Sequence, residues 1–177
     1  GTAPGLGLRL TLGPGVRSAP AGGLTQILRD EVLIRLRESL GNEIPAAREA
    51  GVRLESYDGS AIALSAPLAL NVNQMGTAFA GSLNSVATLA GWGLVWLMAM
   101  EDRQPSGVVL QDCAVQYLRP VTRDFTARAT RPDPDRVGDL LTALRRRGRG
   151  RIEISADIQE LGLSAMVFTG RFVAQHR

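Results

Sequence analysis

The longest uncharged stretch of the chain runs from residue 59 to residue 100 and contains no Asp, Glu, Lys or Arg. Its second half, NQMGTAFAGSLNSVATLAGWGLVWLMAM (residues 73–100), is long enough for a membrane-spanning helix. Its strongly apolar part, WGLVWLMAM, is too short to cross hydrocarbon, and the turns before it carry small and polar residues. We therefore predict the buried central helix of a soluble fold, with a membrane span as the alternative.

The segments on both sides of this helix predict strands and further helices. The predicted strands are residues 52–58, 61–67, 107–121, 124–130, 151–158 and 164–174. The predicted helices are residues 24–40, a short turn at 44–51, and 133–148, with Asp135 as the cap of the last. A helix without a charged face needs cover, which a curved antiparallel sheet of about six strands provides. We predict a single α+β domain over residues 24–177, with this sheet wrapped around the central helix.

We predict that residues 1–23 form an N-terminal arm outside the main domain. Leucines alternate with other residues over residues 6–12, which indicates an edge strand that packs on this chain or on a partner chain. Residues 13–23 are rich in Gly, Pro and Ala and are typical of a linker. The arm lacks the basic head and continuous apolar block of a signal peptide.

The residue types that are scarce in this chain exclude several kinds of catalysis. The chain has no lysine, which excludes Schiff-base chemistry, and its one histidine, His176, lies beside the C-terminus. Ser-His-Asp and Cys-His catalysis and a zinc site are therefore not expected, and we predict no metal. Cys113 is the only cysteine, which fits a reducing cytoplasm, and its apolar neighbours predict a buried thiol.

The small residues at the start of the central helix favour a binding site there. Helix N-termini present unpaired N–H groups and a partial positive charge. We place the first turns at residues 77–82, where a developing oxyanion could contact the amides of Ala80 or Gly81. The alternative is that these small residues only allow close packing.

Several segments resemble one family. These are NVNQMGTAFAGSLNSVATLAGWGLVWL, VVLQDCAVQYLRPVTRDF, LRRRGRGRIEI and GRFVA. Together they are similar to a thioesterase domain of the hotdog superfamily, found in some bacteria as the C-terminal part of a fusion with an acetyltransferase-type domain. The resemblance implies a hotdog fold, homodimers or dimers of dimers, and a site at the dimer interface. It also implies acyl thioesters of coenzyme A or of phosphopantetheine carriers as substrates, with no further cofactor.

The resemblance also implies candidate catalytic residues. In better-known hotdog thioesterases an Asn precedes a His-Gly-Gly at the helix start, and an acidic residue lies two turns further on. Asn73 takes the place of that Asn, residues 79–81 that of the His-Gly-Gly, and Thr88 that of the acidic residue. Because threonine cannot act as a general base, we predict that Asp112, on the strand after the helix, is delivered across the interface. A half-buried carboxylate there would have a raised pKa. A structural Asp112 is the alternative.

The remaining site hypotheses concern water, phosphates and the acyl chain. Ser82 or Thr88 would hold the attacking water. Arg119, Arg149 and Arg151 are candidates for binding the phosphates of coenzyme A. The alternative for the arginine cluster at residues 145–151 is that its positive charges offset the negative end of a helix dipole. Because no aromatic residues are interleaved with these arginines, we do not predict nucleic-acid binding.

Trp92 and Trp96 are predicted core residues that could line the end of an acyl tunnel. We predict an acyl-thioester hydrolase. The alternative is a non-catalytic acyl-binding or dimerisation module that serves an acyltransferase.

Overall fold

The computed structural model describes the backbone of residues 21–176 and the side chains of residues 29–176. The predicted arm strand and residues 13–20 of the predicted linker lie outside this range. The helices are α1 (Ala21–Glu38), α2 (Pro45–Glu49), α3 (Ala80–Glu101) and α4 (Pro134–Arg147). The strands are β1 (Arg53–Tyr57), β2 (Ala61–Ala66), β3 (Ser106–Tyr117), β4 (Phe125–Thr130), β5 (Arg149–Glu160) and β6 (Leu163–His176). A π-helical turn, Ser39–Glu43, joins α1 to the short loop before α2.

The six strands form one antiparallel sheet in the order β1-β2-β4-β5-β6-β3. Strand β5 shows the alternation that the sequence predicts, because its even-numbered residues are buried and its odd-numbered ones are exposed or half-buried. Strand β3 has 12 residues and, among the described strands, pairs with β6 alone, which makes it an edge strand. The predicted curved six-stranded sheet with a long central helix is confirmed.

Helix α3 lies in the middle of the fold and contacts strands β2 to β6. Leu94 and Met98 are fully buried, and Gly91 lets the ring of Phe172 on β6 approach its backbone, since a Cβ on Gly91 would lie 2.6 Å from that ring. By length and composition α3 is also the one described helix that could span a membrane. However, 61% of its most apolar window is buried inside the fold.

The other helices differ from the predictions mainly at their ends. Helix α1 begins at Ala21, so the last three residues of the predicted linker are helical. At the start of α4 the cap position belongs to Asp133 rather than Asp135, because Pro134 occupies the first helical position. Gly148 ends α4 as predicted, with the positive φ of 67° that favours glycine.

Three predicted core residues are less buried than expected. Cys113 is exposed on the edge strand β3, beside which the described residues form no further strand, so the prediction of a buried thiol is wrong. Trp92 and Trp96 stack with ring centroids 6.5 Å apart and pack against the core while remaining half-buried.

Candidate active site

The first turn of α3 leaves three backbone N–H groups open. The helix begins three residues later than predicted, with Phe79 at the N-cap position and no side-chain cap. The first helical hydrogen bond runs from the N–H of Leu83 to the carbonyl of Phe79, at 3.1 Å. In the described part of the chain no hydrogen-bond partner is found for the N–H groups of Ala80, Gly81 and Ser82. The predicted amides of Ala80 and Gly81 are therefore among the open ones.

A buried asparagine that the sequence prediction missed fixes the chain before α3. The Asn71 side chain is buried and donates to the carbonyls of Ala50, at 2.9 Å, and Pro67, at 2.8 Å. The Asn71 carbonyl accepts the N–H of Phe79 at 2.7 Å. This hydrogen bond occupies the N–H of Phe79, the cap residue, and does not involve the N–H groups of residues 80–82.

Asn73 serves the turn in front of the helix. Its Nδ2 donates to the hydroxyl of Thr77, at 2.9 Å, and its Oδ1 accepts the N–H groups of Met75, at 2.8 Å, and Thr77, at 3.2 Å. Nδ2 also lies 3.5 Å from the carbonyl of Ala78. Because both ends of the amide bind locally, Asn73 shapes the loop that leads into the helix.

The start of α3 borders a cavity of about 500 Å³ between α2 and α3. Its lining residues are Ala46, Ala50, Val52, Phe79, Gly81, Ser82, Asn84, Ser85, Thr88 and Leu89. Gly81, Ser82 and Thr88, three of the predicted site residues, are thus brought together.

Asn84, on the same wall, was not predicted as a site residue. Its Oδ1 is buried without a hydrogen-bond partner in the described part of the chain. The hydroxyl of Ser85 donates to the carbonyl of Gly81 at 2.9 Å. Because Oδ1 of Asn84 is buried from solvent, it does not open into the cavity.

Phe79, which the resemblance places at the histidine of better-known hotdog thioesterases, packs on the open turn. Its side chain is 55% exposed, and its ring overlaps the space that a Cβ on Gly81 would fill. The absence of a side chain at residue 81 therefore lets an aromatic ring lie directly on the helix backbone. No acid–base chemistry is available from this ring.

Tyr117, at the end of β3, contacts the same turn. Its hydroxyl donates to the carbonyl of Ala80 at 2.9 Å, and the side chain is half exposed. Partial burial, with a smaller contribution from Cys113, raises the pKa of Tyr117, which keeps the phenol protonated at neutral pH. The sequence marks this residue only as part of the Tyr-Leu-Arg-Pro segment.

Asp112 lies away from this group. A β-bulge separates Leu110, which pairs with Phe172, from Asp112, which pairs with Arg171. Phe172 faces α3, so the next residue, Arg171, and its partner Asp112 lie on the opposite face of the sheet.

The electrostatic setting of Asp112 also differs from the expectation. The Arg171 guanidinium donates Nε–H to the carboxylate at 2.8 Å and holds the pKa of Asp112 below its ordinary value. The predicted rise in pKa is therefore wrong, because an ion pair favours the charged form where burial was expected to oppose it.

The three candidate arginines lie in two places. Arg119, just after β3, donates its Nε–H to the carbonyl of Ser164 at 2.8 Å and is otherwise exposed. Arg149 and Arg151 line a cavity of about 530 Å³ at the C-terminal end of α4. Arg151 pairs with Val173 of β6 and Tyr117 pairs with Met166, so seven residues, or about 23 Å of strand, separate them. Of the three arginines, only Arg119 is close in sequence to Tyr117, which contacts the helix start.

Comparisons with known proteins agree with this architecture. Residues 33–176 match the family model described as "Putative thioesterase (yiiD_Cterm)". A protein of unknown function from Chlorobaculum tepidum TLS is 28% identical, with a TM-score of 0.79 over 84% of this chain and 97% of that one. A protein from Shewanella oneidensis described as a putative thioesterase is 30% identical, with a TM-score of 0.74 over 84% of this chain and 99% of that one.

A more distant structure, described as a probable thioesterase from Pseudomonas aeruginosa, shares the fold at 20% identity. Its TM-score is 0.68 over 81% of this chain and 95% of that one. The family model covers most of the chain, including α3 and all six strands. The chain therefore belongs to this thioesterase family and has the hotdog fold.

Proposed function

We propose that the protein hydrolyses acyl thioesters of coenzyme A or of acyl carrier protein at the start of α3. The observation that carries the proposal is the set of open N–H groups on Ala80, Gly81 and Ser82, next to a cavity that Gly81 and Ser82 line. A thioester carbonyl directed at this turn would meet fixed donors and the positive end of the helix dipole. These groups stabilise the oxyanion that forms when water attacks the carbonyl carbon.

The cavity wall supplies groups that hold the water. Ser82 and Thr88, whose hydroxyls are the candidates for holding the attacking water, line this wall. Water adds to the carbonyl carbon, the carbon–sulfur bond breaks, and the products are a carboxylic acid and the carrier thiol. Water is the only co-reactant, and the proposed scheme uses neither a metal nor a further cofactor. Asp112 has no part in this scheme, because it lies on the other face of the sheet.

The acyl chain would follow one face of α3. Leu89, at the cavity, and Trp92 and Trp96 beyond it are spaced by three and four residues and are all half-buried. Residues at this spacing lie along one side of a helix. An apolar chain leaving the cavity along these side chains would shield them from water.

Arg119 is the favoured phosphate-binding residue. It is exposed and lies two residues after Tyr117, which contacts the helix start. We propose that it binds a phosphate of the carrier, since a guanidinium suits that geometry. Arg149 and Arg151 are the alternative phosphate-binding residues rather than partners of Arg119, because about 23 Å of strand separates them from Tyr117 and the phosphates of one carrier lie closer together.

We propose a homodimer joined through the β3 edges, in the cytoplasm, with further pairing of dimers. A long edge strand with free backbone groups normally needs cover. Exposed apolar residues lie in two segments of the chain: Leu70, Val72, Met75 and Phe79 before α3, and Val109, Tyr117 and Leu118 in or just after β3. Covering them with a second copy would enclose the helix start. Sedimentation as a monomer at micromolar concentration would contradict the dimer.

A second candidate is a non-catalytic acyl-thioester-binding module associated with an acyltransferase. It is favoured by Thr88, which the resemblance places where better-known hotdog thioesterases have an acid, and by Asp112, which is paired with Arg171 on the face of the sheet away from α3. Binding of acyl-CoA without release of thiol would distinguish this candidate.

A thiol-release assay over a series of acyl-CoA chain lengths tests the proposal. Gly81→Ala should lower kcat/KM about tenfold or more, because the new methyl group displaces Phe79 and crowds the open turn. Gly138→Ala on α4 is the matched control, since its Cβ would have no neighbour within 4 Å. Asp112→Asn should retain activity. Release at the buffer rate by the parent protein would overturn hydrolysis.

A further inference from the structure

A carboxylate buried beside the loop between β3 and β4 has no part in the scheme so far. Glu160, the last residue of β5, has a side chain that is only 7% exposed. Its Oε1 accepts the hydroxyl of Thr122 at 2.6 Å and the Thr122 N–H at 3.3 Å, and it lies 3.5 Å from Nε of Arg123. Its Oε2 is buried and has no partner in the described part of the chain.

Only one oxygen of this carboxylate is satisfied. A buried ionised group is costly unless its hydrogen-bonding capacity is satisfied, and Oε2 has no partner in the described part of the chain. The two hydrogen bonds that Thr122 donates to Oε1 offset this cost and bind Thr122 to the end of β5. Glu160 is therefore placed to fix the backbone of the β3–β4 loop.

Glu160 is connected to the open turn of α3 through the β3–β4 loop. The carbonyl of Val121, next to Thr122, accepts the N–H of Ala78 at 2.8 Å. Ala78 directly precedes Phe79, the cap residue of α3. Displacement of Thr122 would therefore move the backbone that enters the helix, and with it the N–H groups of the first turn.

We propose that Glu160 is a positioning residue of the thioester site, which anchors Thr122 and thereby fixes the open amides of Ala80, Gly81 and Ser82. The inference rests on the proposed function for its consequence in catalysis. Glu160 does not touch the substrate. It acts through Thr122, Val121 and Ala78, and a shift of the amides by a fraction of an ångström weakens oxyanion stabilisation.

The ionisation of Glu160 agrees with this role. Hydrogen bonds from Thr122, with a smaller effect of Arg123, hold the pKa of Glu160 below its ordinary value. The carboxylate is charged at neutral pH, and the anchoring is lost only as the pH falls through this lowered pKa. Arg123 is the charged group that faces it among the described contacts.

Steady-state kinetics with matched variants tests the inference. Glu160→Gln keeps a neutral acceptor for Thr122 and should lower kcat about tenfold with KM nearly unchanged, since a charge-assisted hydrogen bond is replaced by a weaker one. Thr122→Val removes the hydroxyl donor and should lower kcat similarly. Thr122→Ser keeps a hydroxyl and should have a kcat close to that of the parent. Asp157→Asn, on the other face of the same strand, is the control and should behave as the parent. Kinetics of Glu160→Gln equal to those of the parent would overturn the inference.

Backbone NMR separates failure of this inference from failure of the proposed function. If the parent hydrolyses no thioester, the proposed function fails, but the amide signals of residues 80–82 still report the anchoring. Glu160→Gln should shift these signals while leaving those near residue 94 unchanged. Unchanged signals at residues 80–82 would overturn the anchoring, whether or not the protein is active.

Discussion

The two ends of α3 differ in how completely their polar groups are satisfied. At the C-terminal end, Glu101 accepts the hydroxyl of Tyr57 at 2.6 Å and pairs with Arg131 at 2.9 Å. At the N-terminal end, the amides of residues 80–82 have no partner in the described part of the chain, and a cavity lies beside them. The side chains follow the same division, because fully buried apolar residues dominate the second half of the helix.

This difference separates scaffold from site within one helix. The second half is held by the sheet and by charged partners, so it fixes the helix axis. The first half can then keep unpaired donors facing a cavity without loss of the fold. Substitutions in the second half should therefore change stability, and those in the first half should change activity.

The largest effect is expected from a matched pair of leucine substitutions. Leu94→Ala should lower the free energy of unfolding by about 3 kcal/mol, because it leaves a cavity at a fully buried position. Leu89→Ala, at the half-buried cavity wall, should cost about 1 kcal/mol and change the preferred acyl chain length. Urea unfolding of both variants measures the loss of stability, and thiol release measures the chain-length preference of Leu89→Ala. Equal losses of stability would contradict the division of the helix.

A glycine pair should give a smaller contrast. Gly91→Ala forces a methyl group against the fully buried ring of Phe172 and should destabilise the protein by about 2 kcal/mol. Gly81→Ala meets only the exposed ring of Phe79, which can rotate away, so stability should change by no more than about 0.5 kcal/mol. Thermal unfolding compares the two. A Gly81→Ala protein as unstable as Gly91→Ala would show that the helix start is packed core.

A tyrosine pair should give the smallest change. Tyr57→Phe removes the donor to Glu101 and should cost about 1.5 kcal/mol of stability while leaving kcat/KM unchanged. Tyr117→Phe removes the bond to the Ala80 carbonyl and should cost less than about 1 kcal/mol, while lowering kcat/KM severalfold. The reverse pattern, with activity lost at residue 57, would place the site at the other end of the helix.

The sequence predicted the fold well because its pattern is local. The alternation of β5 and the amphipathic pattern of α4 each follow from neighbouring residues. The face of Asp112 could not be predicted in this way. Strict alternation places it with Leu110, but the bulge between them turns it to the opposite face.

The contacts around the helix start also escaped prediction because they join distant segments. Tyr117 meets Ala80, and Glu160 meets Thr122, across separations of 37 and 38 residues. Nothing in the residues near Glu160 indicates that its side chain is buried. Gly81 and Ser82 were predicted from the small-residue helix start, which is a local pattern, and Thr88 from the resemblance; all three line the same cavity.

Binding of a thioester carbonyl at the open turn of α3 can be observed directly by NMR. The titration uses an S-(2-oxoalkyl) derivative of coenzyme A, which keeps a carbonyl but cannot be hydrolysed. We expect the largest amide shifts on Ala80, Gly81 and Ser82. Saturable binding with these three signals unmoved, or no binding at all, would contradict this expectation.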